Sequence, residues 1–325
     1  MAVVRRILTA SFWVPATYYL LSSDVTGFFY LTAVVAISLQ EYYYVIAPGL
    51  NINLGSEECK GENKIILVAL GVALSVVAHL GSAKAFNAFA VLAMLGVVLY
   101  HFGLRWIPRP YPPDAVDFAT FFVDLFGMTF AWGFSHLILL RAEPQFGRAF
   151  TAIAVGASWS SDTGALVFGK LFGRYTPPLM PSVSPKKTWA GLAGAIIGSL
   201  LVMYSVVWLA QRGMFFPLPY FGANLDVTFL GILFGLTSVF GDALESVMKR
   251  AGEVKDSGVF FPGHGGFLDK IDSITVTSIV LYHFILPFLS TEATPALLAS
   301  STGEGCDGSS SRNMIFQGNT QCSGQ

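Results

Sequence analysis

Apolar residues along this chain come in long blocks rather than in alternation with polar ones. Blocks fall at roughly 7–21, 25–47, 64–82, 84–104, 117–141, 148–170, 188–211, 226–251 and 271–290. Most approach the ~20 residues that a helix needs to cross a hydrocarbon core. The pattern therefore predicts an all-α, polytopic membrane protein with about nine transmembrane helices. Two boundaries are weak. The third and fourth blocks are parted only by Gly81, Ser82, Ala83 and Lys84, and the sixth is interrupted by Trp159, Ser160, Ser161, Asp162 and Thr163. The first block follows Arg5 and Arg6 and lacks a small-residue cleavage pattern, so it reads as an uncleaved span. Prolines between 105 and 113 mark a stiff connector, and beyond Thr291 the composition turns to that of a disordered polar tail. The expected organisation is an N-terminal membrane region (1–150), a catalytic membrane region (151–290) with cytosolic loops at 171–187 and 252–270, and the tail (291–325).

Composition sharpens this picture. Charged residues make up 12% of the chain and hydrophobic ones 54%, whereas soluble domains carry roughly 25% charged residues. If the nine blocks cross, the N-terminus and the loops after even-numbered spans hold 14 of the 19 Lys and Arg. The positive-inside rule then makes that side cytoplasmic and puts the tail outside. Cys59, Cys306 and Cys322 lack metal-ligand spacing, so zinc is not expected.

Candidate chemistry concentrates between Asp242 and Asp272, where acids, cations and glycines crowd a helix end, a loop and the start of the next block. Asp124, Asp162, Asp242 and Glu245 fall inside predicted spans, where an acid costs about 2.5–3.5 kcal/mol unless it faces a protein interior or wet cavity. Asp162 and Asp242 should lie at similar depth, roughly 12–14 Å below the cytoplasmic end of their helices at 1.5 Å per residue. A cytosol-facing polar cavity is the expected result. Asp242, Glu245, Ser246 and Lys249 share one helical face, and Glu245 with Lys249 also fits an ordinary i,i+4 ion pair. Asp269 and Asp272 follow the glycine loop Gly263, His264, Gly265, Gly266, whose backbone can approach a ligand closely. Carboxylates from two helices beside such a loop suit a hard cation that takes phosphate oxygens as its other ligands. A second cluster, Ser182 to Trp189, places Lys186 and Lys187 beside the expected helix start at Thr188, a candidate anion seat.

The stretch from Ser246 through Lys249, Arg250, Lys255, Asp256, Gly258, Phe261, Pro262, His264, Gly265, Gly266, Phe267 and Asp269 to Asp272 resembles phosphatidate cytidylyltransferases, the CDP-diacylglycerol synthases. Trp159 with Asp162, and Ser184, Pro185, Lys187, Thr188, Trp189 and Gly191, are similar to its bacterial-type members. Lys270 stands where that family usually has Arg, a point charge for a planar fork, and Ala190 where it usually has Glu. The resemblance implies condensation of CTP with phosphatidic acid to CDP-diacylglycerol and pyrophosphate, in a multi-pass protein of a bacterial-type inner membrane. Asp242 and Asp269 would hold Mg²⁺, with a monovalent cation such as K⁺ alongside. Lys249, Arg250, Lys255, Asp256 and His264 would join them in catalysis. Ser184, Lys187, Thr188, Asp162, Gly265, Gly266, Lys270 and Asp272 would bind nucleotide and phosphates. The bilayer is a partner, nucleic acid is not, and homodimerisation is left open. A CTP-dependent lipid or polyprenol kinase is the rival enzyme. An ion-coupled transporter would also place acids at depth, but paired repeats with broken helices are missing.

Overall fold

The computed structural model describes residues 2–53, 64–101, 115–218, 224–261 and 265–302. Cys59, Cys306, Cys322, His264, the proline-rich connector and the tail from 303 lie outside the described residues. Helices occupy every apolar block: α1 (Ala2–Ser22), α2 (Asp24–Glu41), α3 (Ala47–Asn53), α4 (Ile65–Leu80), α5 (Ala83–Leu99), α6 (Ala115–Arg141), α7 (Gly147–Phe172), α8 (Trp189–Gln211), α9 (Asn224–Ala251) and α10 (Leu268–Thr302). Residues Tyr42–Ile46 form a π-helical segment that joins α2 to α3.

Both weak boundaries have local explanations. Ser82 caps α5 by accepting the Ala85 N–H at 3.2 Å, which turns one apolar stretch into two helices. The polar cluster at 159–163 leaves α7 unbroken, and two of its three hydroxyls find carbonyl acceptors. Ser160 donates to Gly198 O at 2.8 Å and Thr163 to Trp159 O at 2.8 Å.

Three features depart from the sequence expectation. The loop after α7 is not wholly irregular: β1 (Pro178–Met180) and β2 (Ser184–Thr188) pair antiparallel, with Pro178 opposite Thr188 and Met180 opposite Ser184. Helix α10 continues to Thr302, through residues expected to begin a disordered tail. Third, among the described residues, four helical stretches are long and apolar enough to cross a membrane: Asp24–Asn53, Phe118–Arg141, Trp189–Gln211 and Asp226–Ala251. Helices α4 and α5, with 16 and 17 residues, are apolar but shorter.

Large apolar side chains such as Tyr19, Ile66, Leu80, Leu92 and Leu201 point outward and are exposed, a surface suited to an apolar solvent. Successive helices α7, α8, α9 and α10 pack in sequence, and α10 also meets α6, which meets α4. Small residues let α7 and α8 approach closely: a Cβ on Gly198 would overlap Ser160 O, and one on Gly194 would overlap Gly164 O. The two ends of the bundle are told apart by their contacts. At one end Arg141 and Arg148 pair with Asp24 at 3.0 and 3.4 Å. At the other, Asn53 donates to Ala251 O at 2.8 Å, which brings the end of α3 onto the end of α9.

Gly198→Val should force α7 and α8 apart at a cost of about 1–3 kcal/mol. Thermal melts in detergent should show a lower midpoint for it, whereas Gly96→Ala, where a Cβ meets nothing within 4 Å, should match the parent.

Candidate active site

Helix α9 presents Asp242, Glu245 and Lys249 on one face, as their i, i+3, i+7 spacing requires. Asp242 is half-exposed, whereas Glu245 is buried one turn further along. Asp272, one turn into α10, is buried opposite them. Among the described residues, carboxylate oxygens of Asp242, Glu245 and Asp272 converge so that all lie within 4.8 Å of one another. Close packing makes this possible: a Cβ on Gly241 would strike the Asp272 carbonyl, so only glycine lets α9 and α10 meet there.

Cations arrive from two directions. Lys187, on β2, places its Nζ 2.8 Å from Asp242 Oδ2. Lys249 donates to Glu245 Oε2 at 2.5 Å and also to Asp269 Oδ1, so the anticipated i,i+4 pair exists but is shared with a third acid. Ser246 donates to Asp242 Oδ1 at 3.3 Å, and the Ser273 N–H donates to Asp272 Oδ1 at 2.6 Å. Glu245 Oε1 is buried without a hydrogen-bond partner among the described residues.

Asp269 shares Lys249 with Glu245 and is also held by the glycine loop. Its Oδ2 accepts from the Gly266 N–H at 2.7 Å, the Ser257 N–H at 2.9 Å and the Ser257 hydroxyl at 3.0 Å. The glycine loop is thus folded onto Asp269, and Gly265 there has φ +85° with no room for a Cβ beside the carboxylate. Asp242 and Asp269 were the pair expected to share a cation; Lys249 bridges Asp269 to Glu245, and among the described residues the acids whose oxygens converge are Asp242, Glu245 and Asp272.

The expected anion seat at the start of α8 is filled by the protein itself. Trp189 N–H donates to Pro177 O at 3.4 Å, Ala190 N–H to Thr176 Oγ1 at 3.2 Å and Gly191 N–H to Thr188 Oγ1 at 3.2 Å. Thr188 is an N-cap, and the charge that this loop brings to the acids is Lys187. Ser184 opens β2, opposite Met180. Arg250, Lys255 and Asp256 are exposed around the end of α9, where Arg250 donates to Val254 O at 3.3 Å. Of the intramembrane acids, Asp124 belongs elsewhere: it is buried between Lys64 Nζ at 2.8 Å and His101 Nε2 at 3.0 Å.

A cavity of about 410 Å³ opens beside Asp162 and Asp269. Its walls are mainly apolar and include Trp13 and Thr17 of α1, Val34 of α2, Phe134 of α6 and Ile274 of α10, while Asp162, Asp269 and Lys270 supply its charge. Asp162 is open to this space and accepts from the Ser238 hydroxyl at 3.4 Å. Trp13 and Glu41, both from the N-terminal region, were missed by the sequence reasoning. Trp13 stacks edge-on against Phe261 at 5.0 Å, and Glu41 Oε1 accepts the Phe267 N–H at 3.0 Å. A signal for Glu41 existed, since it is an acid within the apolar block 25–47.

A helical bundle of membrane-like composition thus brings lysines and acids from distant segments together beside an apolar cavity. The chain belongs to the cytidylyltransferase family, whose pattern matches residues 4–288. It is 39% identical over 143 residues to a phosphatidate cytidylyltransferase of Synechocystis sp., covering 44% of this chain and 45% of that one. A phosphatidate cytidylyltransferase of Bacillus subtilis is 34% identical over 201 residues, 62% of this chain and 64% of that one. Phosphatidate cytidylyltransferase 4, chloroplastic, of Arabidopsis thaliana is 40% identical over 150 residues, 46% and 36% of the two chains. The matched segments thus span less than two thirds of these curated relatives.

Lys249→Met leaves Glu245 and Asp269 buried without their shared cation, at an expected cost of about 3–5 kcal/mol. Adding Glu245→Gln should recover part of that loss, read as a non-additive double-mutant cycle in detergent melts.

Proposed function

We propose that this chain condenses CTP with phosphatidic acid to form CDP-diacylglycerol and release pyrophosphate. The observation that carries the reading is Lys187 reaching across from the hairpin to Asp242, beside the Glu245 and Asp272 carboxylates and an apolar cavity. Membership of the cytidylyltransferase family and likeness to phosphatidate cytidylyltransferases support the choice of substrates.

In the reaction a phosphate oxygen of phosphatidate attacks the α-phosphorus of CTP, and the bond from that phosphorus to the β-phosphate bridging oxygen breaks. The electron pair leaves with pyrophosphate. The attacking phosphate is already ionised, so no strong general base is required. What the protein must do is bring two polyanions together and offset charge as it develops. Lys187, Lys249 and Lys270 serve this role within the site, and Arg250 and Lys255 draw nucleotide phosphates at its rim. Ser184 and His264 complete the nucleotide side, and the cavity takes the apolar part of the lipid.

The acids fit a divalent cation. Three carboxylates within 4.8 Å, one with an oxygen that no donor among the described residues meets, leave negative charge that Lys187 and Lys249 do not fully offset. Asp242, Glu245 and Asp272 would hold Mg²⁺, and Asp269 would join them only by giving up Lys249. Bound there, the ion would supply Lewis-acid neutralisation of phosphate oxygens. A monovalent cation such as K⁺ suits the same acidic surroundings. We read the helices as nine crossings with the N-terminus and active site cytoplasmic, the side to which most Lys and Arg fall.

Purified full-length protein given CTP, phosphatidate and Mg²⁺ should release pyrophosphate and form a cytidylylated lipid only when both substrates are present. Chelation should abolish the activity, and Asp242→Asn should lower turnover by roughly 100-fold or more. Release of CDP in place of pyrophosphate would assign a lipid kinase instead.

A further inference from the structure

Glu41 ends α2, some 200 residues before the acidic cluster in sequence, and the proposed reaction gives it no part. Its carboxylate nevertheless enters the 257–268 loop. Oε1 accepts the Phe267 N–H at 3.0 Å, and Oε2 accepts the Leu268 N–H at 2.9 Å and the Ser257 hydroxyl at 3.0 Å. The first N–H groups of a helix have no partners within it, and at α10 an acid from a different helix supplies them. Such charge-assisted bonds are about twice as strong as neutral ones, and the α10 dipole favours an anion at that end. The backbone closes tightly around the group: a Cβ on Gly258 or Gly266 would overlap the Glu41 carboxylate.

A second observation is independent of these bonds. The π-helical segment Tyr42–Ile46 begins immediately after Glu41, and π segments are rare and frequent at functional sites. Tyr42 and Tyr43 are buried, and their hydroxyls donate to Val123 O at 2.8 Å and Asp124 O at 2.9 Å on α6. Glu41 is therefore carried on a backbone braced against a neighbouring helix. Ser257 links it onward, its hydroxyl lying 3.0 Å from both Glu41 Oε2 and Asp269 Oδ2.

We propose that Glu41 is a positioning residue: through Ser257, Phe267 and Leu268 it sets where α10 starts. It thereby sets where Asp269, Lys270 and Asp272 stand relative to Asp242 and Lys187. Its consequence for turnover rests on the cytidylyl-transfer reading, whereas its hold on the loop does not.

The test combines hydrogen exchange with kinetics on full-length Glu41→Gln, Glu41→Ala and Glu41→Asp in detergent. Amides at 257–261 and 265–270 should exchange faster in Glu41→Gln and Glu41→Ala, with α7 and α8 unchanged. In the same variants kcat should fall roughly 10- to 100-fold, the range expected when reacting groups are displaced by about 1 Å, with KM for CTP little altered. Glu41→Asp, which keeps the charge, should restore part of both. Unaltered exchange in this loop overturns the proposal, as does faster exchange with an undiminished kcat. If Glu41→Ala loosens the whole protein, the isosteric Glu41→Gln decides by the same readouts, and global unfolding there too assigns Glu41 a purely structural role. A parent protein that releases no pyrophosphate refutes the reaction assignment and leaves exchange alone to judge the hold on the loop.

Discussion

A carboxylate inside an apolar helical bundle must be met by a cation or by N–H and O–H donors, because removal from water costs several kcal/mol per ion. That requirement orders this structure. Asp124 meets Lys64 and His101, Asp269 meets Lys249 and the N–H groups of Ser257 and Gly266, and Glu41 meets the N–H groups of Phe267 and Leu268. The matches of Asp124 and Glu41 draw together segments that chain connectivity leaves apart. Among the described residues the matching stops short at Glu245 Oε1, where three acids converge, and at Asp124 Oδ1. Convergence of three carboxylates, rather than acidity as such, distinguishes the site from the other buried ions among the described residues.

The same electrostatics joins the N-terminal helices to the site. Glu41 and the π-helical segment behind it hold the loop that precedes α10, and α3 touches the end of α9 through Gly49, Asn53, Ala251 and Gly252. Trp13 of α1 packs on Phe261 and lines the cavity. A division near residue 150 therefore separates a region dense in motifs from a sparser one, but it does not separate the site from its supports. Agreement of the family pattern with residues 4–288, well beyond the recognisable motifs, is what such shared construction would produce.

The loops show how a basic, hydroxyl-rich segment can serve two purposes. In the hairpin before α8, Thr176 and Thr188 satisfy the helix start while Lys187 reaches Asp242. Hydroxyls close by are better placed than a diffusing anion to satisfy N–H groups, since they are tethered. Charge has no such local partner and extends toward the acids. An anion seat and a capped helix start share one sequence signature, and geometry alone tells them apart.

The apolar blocks determined the helices and most of their ends, α3 and α10 excepted, because burial of a helix of that length depends on local composition. Clustering of acids on one face of α9 was likewise legible, since 3.6-residue periodicity puts Asp242, Glu245 and Lys249 together whatever surrounds them. Only the tertiary structure decided which acid joins which. Asp269 and Asp272 lie three residues apart, yet one folds onto its loop and Lys249 while the other faces Asp242 and Glu245, according to how α10 rotates against α9. That rotation is set by the close approach at Gly241 and by Glu41 at the head of α10. Those contacts join α10 to two other helices, one of them 227 residues earlier in the chain, so local pattern alone does not fix them.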